Sequence, residues 1–367
     1  MSVIVLFCFV ILAVWCEGAS GSLGNSFPIY KDCVEECRKD ICDKDGYYFL
    51  RNELTALPLI LLWRCSDDCR YRCMWVVIDQ FERKGWPPPQ FHGKWPFVRI
   101  LGIQEPASTL FSLLNLGIHV SMFKRYWREF NRHTPLFSVW IFHGVVSING
   151  WVWSTIFHTR DIGFTELMDY LSAFAMVFSS VYCLGMRLLL DLAKDSYGAF
   201  LTGICVLFYL NHALYLSSGP FDYSYNLVAN ISVGFITLLI CAALIFRNRS
   251  LPHSKMLAAA VGILTVSLYL EVNDFSPICW FLDAHALWHA LTAPSIYFFW
   301  KFIFEDSRYL KKRVAIKWPM DITPKRKLNS VSLKIDEVLA KKTPCQKSNT
   351  INDVQFNVPY VSLFHET

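Results

Sequence analysis

Charged side chains are scarce in this chain. Of its 367 residues, 18% are Asp, Glu, Lys or Arg and 54% are hydrophobic, whereas an average soluble domain is about 25% charged. The deficit puts the chain on the membrane side of average composition. No window alternates strictly between apolar and polar residues, which excludes a membrane-spanning barrel and leaves helices as the way across. Lys and Arg are also missing ahead of the first apolar run, residues 3–15. That run is too short to span comfortably, and the small residues Cys16, Gly18 and Ala19 follow it, so residues 1–19 read as a secretory signal peptide. The missing basic n-region keeps an uncleaved anchor as the alternative. There is no basic face with groove-reading elements, which excludes nucleic acid as a partner. The formal net charge of +5 comes from the tail alone, where twelve Lys/Arg face seven Asp/Glu from Glu305 onward. Beside a membrane helix, such a segment is retained in the cytoplasm next to anionic lipid.

Between signal peptide and tail, residues 20–99 are polar and hold two cysteine clusters: Cys33, Cys37 and Cys42, then Cys65, Cys69 and Cys73. An even number of cysteines in an exported segment reads as a disulfide framework. The clusters are expected to be stapled to one another, because helical i,i+4 cysteines pair outward. A zinc knuckle is the rival reading, which an oxidising lumen disfavours. Residues 100–304 then hold seven hydrophobic segments, at 106–123, 135–157, 167–190, 198–216, 227–246, 256–270 and 284–304. Each is near the length a bilayer requires. Residues 305–367 form the basic tail.

The loops set the orientation. Lys124, Arg125, Arg128 and Arg132 separate the first two segments, and Arg187 and Lys194 follow the third. Arg247, Arg249 and Lys255 follow the fifth, and Lys301, Arg308 and Lys311 mark the end of the seventh. The alternate loops hold few basic residues, so the cysteine-rich region is expected in the lumen and the tail in the cytoplasm. The sequence thus predicts an all-α membrane protein of seven transmembrane helices, preceded by a small disulfide-rich lumenal domain.

This topology brings five polar residues to one depth. Ser154 and His158 stand at i and i+4 at the lumenal end of the second segment, Asp169 at the lumenal start of the third, and His285 and His289 in the first turns of the seventh. Ionisable residues inside a membrane are expensive and read as functional. Three imidazoles with an open fourth position describe a catalytic zinc site, so His158, His285 and His289 are the candidate ligands of Zn2+. A zinc ion there acidifies water toward a pKa of about 7. Asp169 is the candidate to orient that water or take its proton. Ser154 is the candidate hydrogen-bond donor to a developing oxyanion, a poor nucleophile beside a histidine that is not free. Its bland alternative is a bond to the Gly150 carbonyl. His212 is the rival ligand; His119 and His143 belong to the cytosolic half. Asp161, Asp274 and Asp283 read as solvated or capping carboxylates. The tryptophans, Trp151, Trp153, Trp280 and Trp288 at one level and Trp127 and Trp300 at the other, read as an interfacial belt.

These residues carry a resemblance. Ser154-x-x-x-His158, Asp169 and His285-x-x-x-His289 resemble the pattern of the CREST superfamily of membrane hydrolases. More specific stretches are Cys65-x-x-x-Cys69-x-x-x-Cys73-Met74-Trp75, the run from Gln90 to Phe97, Gln104-Glu105-Pro106-Ala107-Ser108, Phe157-His158-Thr159-Arg160-Asp161 and His285-Ala286-Leu287-Trp288-His289. Together, from about Gly24 to Tyr309, they are similar to the post-GPI-attachment-to-proteins factor 3 family, the GPI-specific phospholipase A2-like proteins. The resemblance implies removal of the sn-2 acyl chain from the lipid of GPI-anchored proteins, at a Golgi membrane or, alternatively, an endoplasmic reticulum membrane. A ceramidase-like amide hydrolase and a non-catalytic receptor or chaperone with structural zinc are the competing functions.

Overall fold

Long apolar runs broken by short polar loops leave the backbone one economical way to satisfy its own hydrogen bonds, the helix. In the computed structural model, which describes residues 22–50 and 61–317, the regular elements are all helical. The signal-peptide segment and the tail beyond residue 317 lie outside the described residues. After a single turn at Leu23–Ser26 come α1 (Pro28–Ile41) and α2 (Cys65–Arg83). Seven longer helices follow: α3 (Pro106–Glu129), α4 (Phe137–Thr159), α5 (Gly163–Asp191), α6 (Gly198–Ser217), α7 (Tyr223–Arg247), α8 (Ser254–Val272) and α9 (Ala284–Lys317). Pro28 and Pro106 stand in the first turns of α1 and α3, where a missing N–H costs nothing. Asp67 and Asp68 complement the positive start of α2.

The two cysteine clusters are stapled to one another, as Cys33–Cys73, Cys37–Cys69 and Cys42–Cys65. Each helix presents its cysteines on one face, and α1 and α2 run antiparallel, so the bridges stack in nested order. The zinc knuckle is thereby overturned, since the sulfurs are consumed in bridges.

Each predicted hydrophobic segment is one helix, yet only α5, α6, α7 and α8 are long and apolar enough to cross a membrane on composition alone. The other three carry a polar row on the inward face. On α3 it is Ser108, Ser112, Asn115 and His119; on α4 it is His143, Ser147, Ser154 and His158, all buried. The spacings, i, i+4, i+7 and i+11 on α3 and i, i+4, i+11 and i+15 on α4, keep each row on one face. On the outside the picture reverses. Between 17% and 28% of the apolar windows of α5–α8 is buried within the protein, and Phe200, Leu207 and Phe246 lie about 70% exposed (69%, 70% and 72%). Such an apolar mantle fits lipid and not water, so the chain spans a membrane.

Aromatic residues fill the end of the bundle away from α1 and α2. Trp300 is fully buried among Tyr126, Trp140 and Phe304, and its indole N–H donates to His119 Nδ1 at 3.0 Å. Trp151 is also buried, against His289. The expected tryptophan belt is therefore wrong for these two, because composition places a residue in depth but not around the helix. At Gly144 the side chains of α3 and α9 press on α4: a Cβ there would meet Phe123 Cδ2 at 2.5 Å and Trp300 Cη2 at 3.2 Å. Gly144→Ala is expected to lower stability by about 1–3 kcal/mol, read as a lower melting temperature in detergent micelles.

Helix α9 runs on to Lys317, beyond the expected span limit at residue 304. Asp306 and Ser307 in this extension are fully buried. Asp306 accepts two hydrogen bonds from Arg187 of α5, at 2.6 and 2.8 Å. Arg187 also pairs with Asp191 at 2.6 Å, and His253 Nε2 lies 3.3 Å from Asp306.

Candidate metal centre

The cavity that opens from the bundle toward the cysteine-rich region has a volume of about 590 Å³. Its wall includes all five residues singled out in the sequence: Ser154, His158, Asp169, His285 and His289. Two of the histidines are the i,i+4 pair at the start of α9; the third faces them from the last turn of α4.

The three Nε2 atoms converge. His289 Nε2 lies 3.0 Å from His285 Nε2 and 3.1 Å from His158 Nε2, and the last two are 3.4 Å apart. The opposite edges of two rings are fixed by carboxylates. His158 Nδ1 is 2.7 Å from Glu105 Oε2, and His285 Nδ1 is 2.8 Å from Glu271 Oε1. A carboxylate accepts, so the imidazole proton sits on Nδ1 and Nε2 is left as a bare lone pair. Bare lone pairs at about 3 Å repel one another unless a cation lies among them. Tetrahedral zinc, with Zn–N bonds of 2.0–2.1 Å, sets its ligand nitrogens about 3.3 Å apart. The donor set therefore fits a divalent, imidazole-seeking metal. His289 takes its position differently: its ring packs against Trp151 at 5.3 Å, and Asn115 Nδ2 donates to its carbonyl at 2.8 Å.

Ser154 Oγ lies 3.0 Å from Ser112 Oγ of α3. His212 is absent from the cluster and from the cavity wall; it stacks on Phe174 at 3.7 Å and meets Tyr225 Oη at 3.3 Å. His119 and His143 bond Trp300 and Ser179. Of the loop carboxylates, Asp283 caps α9 through the Ala286 N–H at 2.8 Å. The other two do more than was expected of them. Asp161 pairs with Lys94 at 2.9 Å, and Asp274 accepts from Gln90 and Trp95, tying the cysteine-rich region to the loop before α9.

Sequence reasoning assigned no role to the supporting groups Glu105, Glu271, Lys94 and Ser112, although Glu105 and Lys94 stand in two of the family-like stretches. Glu105 precedes α3 and holds His158 twice, its own N–H donating to the His158 carbonyl at 3.0 Å. Its other carboxylate oxygen accepts from Lys94. Burial disfavours the ionised carboxyl, but Lys94 and His158 outweigh burial and hold its pKa well below the carboxylate range. Burial likewise opposes the Lys94 ammonium, and Glu105 and Asp161 overcome it and push its pKa up. Glu105 thus contributes stability that is full above the ordinary pKa of about 4.3 and is lost as pH falls toward its depressed value. Lys94 contributes stability that fades only as pH rises past its ordinary range. The expected outcome is a melting temperature that is flat through neutral pH and falls below about pH 4.3, the acid limb being weakened in Glu105→Gln.

The chain matches the model of the Per1-like family over residues 56–307. It is 40% identical over 313 residues to the GPI-specific phospholipase A2-like PGAP3 of Cricetulus griseus, covering 85% of this chain and 98% of that protein. The Homo sapiens protein of the same name is 38% identical over the same shares. Post-GPI attachment to proteins factor 3 of Drosophila melanogaster is 37% identical over 76% of this chain and 87% of its own length. No solved structure matches. With its helices, its bridged cysteines and its histidine cluster inside or beside the matched stretch, the chain belongs to the Per1-like family.

Proposed function

We propose that this protein remodels GPI anchors, hydrolysing the sn-2 acyl ester of the lipid on GPI-anchored proteins at a zinc centre held by His158, His285 and His289. The observation that carries the reading is the convergence of three Nε2 lone pairs on the wall of a membrane-level cavity. The names of the relatives, GPI-specific phospholipase A2-like and post-GPI attachment factor, supply the substrate class. In the site as proposed, Glu105 and Glu271 keep the imidazoles in the ligating tautomer. A zinc ion held by the three imidazoles would supply Lewis acidity, lowering the pKa of water and polarising an ester carbonyl. Asp169, on the wall of the same cavity, takes the proton from the attacking water and returns it to the departing glycerol oxygen. Ser154, with Ser112 behind it, offers its hydroxyl hydrogen to the oxyanion. Three ligands without a fourth in the cluster, among the described residues, suit a centre that acts on substrate, whereas a structural site is closed. The basic loops favour a lumenal α1–α2 region and a cytoplasmic tail, in Golgi or endoplasmic reticulum membranes. An acyl ester just below the lumenal headgroups would lie at the depth of the histidines.

The test is the lipid composition of GPI-anchored proteins in cells lacking this chain, rescued with wild type or His285→Ala. Wild type should change the sn-2 chains and the variant should not; full rescue by His285→Ala would sink the mechanism. Elemental analysis of the purified protein should find zinc in wild type and little in the variant.

A further inference from the structure

A second cavity, of about 410 Å³, lies between α2, the loop 84–105 and the end of α4. Five Lys/Arg line it against three carboxylates, and all three carboxylates are engaged. Glu105 and Asp161 hold Lys94, and Asp67 holds Arg160. Arg99 is left poorly paired, with Asp68 at 3.8 Å and the Asp67 carbonyl at 3.5 Å. Burial lowers its pKa to about 10, the mark of a cation whose lost hydration is incompletely replaced. Its guanidinium carbon lies over the rings of Trp63 at 3.5 Å and Tyr71 at 3.9 Å. The Arg160 guanidinium packs on the same indole at 3.9 Å; its terminal nitrogens donate to the Asp161 carbonyl at 2.8 Å and to Asp67 at 2.5 Å, and its Nε is buried without a partner. Two like charges sharing one aromatic ring repel, and aromatic faces leave only the edge N–H donors for a ligand. Edge-on guanidinium forks suit the oxygens of a phosphate. The two cavities are also contiguous. Lys94, Trp95, Phe97 and Glu105 line both, and Glu105 spans them by touching Lys94 on one side and His158 on the other.

We infer that Arg99 and Arg160 bind the phosphodiester of an inositol-lipid headgroup, while the glycerol of that lipid passes Lys94 and presents its acyl ester to the histidine cavity. The assignment rests on the hydrolase reading for its choice of headgroup. In a glycerolipid the phosphate and the sn-2 ester are separated only by glycerol carbons, which matches two contiguous cavities that share a wall. Arg99 and Arg160 are thus positioning residues: they hold the substrate and take no part in bond breaking.

The test uses the full chain in detergent micelles and glycerophosphoinositol, which has the headgroup but no acyl ester to cleave. Wild type should bind it in calorimetry, and bind inorganic phosphate far more weakly. Arg99→Gln and Arg160→Gln should each weaken binding about tenfold or more, and His285→Ala should bind as wild type does. Arg99→Lys keeps the charge and much of the packing against Trp63, so it should melt like wild type yet bind several-fold more weakly. Wild-type binding by both Gln variants, or by Arg99→Lys, overturns the assignment. So does inorganic phosphate binding as tightly as glycerophosphoinositol, or a loss in His285→Ala equal to that in Arg99→Gln. Acyl release from inositol lipid by wild type is scored separately. If release is absent while headgroup binding follows the predicted pattern, the cavity stands and the hydrolase reading falls.

Discussion

Glu105→Ala is expected to lower zinc affinity about 10- to 100-fold, the usual cost of losing a group that orients a ligand, and to destabilise the fold as well. His158 loses the acceptor that keeps its proton on Nδ1, and Lys94 keeps only Asp161 as a partner. Removing one member of a buried pair costs about 3–5 kcal/mol where the remaining charge is left buried and unpaired; because Lys94 keeps Asp161 at 2.9 Å, the loss here is expected below that range. Glu105→Gln separates the two effects. Its side-chain carbonyl still accepts from His158 Nδ1, so zinc affinity should fall less than in the Ala variant, while the loss of charge beside Lys94 remains. Zinc competition with a chelator and melting in micelles provide the two readouts. Equal zinc affinity in wild type and Glu105→Ala would show that Glu105 does not orient His158.

The second large effect is expected at the opposite end of the bundle. Arg187→Ala takes the closest cation from Asp306 and Asp191, at 0% and 6% side-chain exposure, leaving His253 at 3.3 Å from the first and Arg313 at 3.9 Å from the second. The expected loss is about 3–5 kcal/mol, and it should appear in denaturant unfolding before any effect on metal content. Replacing Arg187, Asp191 and Asp306 together by apolar residues of similar volume should cost far less, because no buried charge is then stranded. A triple variant as unstable as Arg187→Ala would mean that the network supports the packing of α5 and α9 by more than charge balance.

How much of this was legible in the sequence depends on the kind of signal. The helices were, because an apolar run of bilayer length has few other outcomes, and each segment read from the sequence became one helix. The joining of cysteine cluster to cluster was legible, but the partners within the clusters were not, since pairing depends on the antiparallel packing of α1 on α2. His158, His285 and His289 could be chosen together because i,i+4 spacing and topology put them at one depth. Glu105, Glu271 and Lys94 left no comparable trace. Each is a single charge, at a helix end for Glu105 and Glu271 and in a loop for Lys94, and what makes it matter is how the folded chain brings it to its partner. The rotation of one helix against another buried Trp151 and Trp300, which composition had assigned to the membrane interface.

The disulfides lie far in sequence from the three clustered histidines, yet a line of contacts joins them. The bridges clamp α1 to α2; α2 supplies Asp67 and Tyr71, which hold Arg160 and the Arg99 backbone N–H. The loop between α2 and α3 brings Lys94 to Glu105, and Glu105 aims His158. With the proposed metal centre, maturation is expected to be ordered. Oxidation of the thiols is expected to come first and metal loading second, so a newly made chain stays idle until its cysteine-rich region has been oxidised, which guards the membrane through which it was threaded.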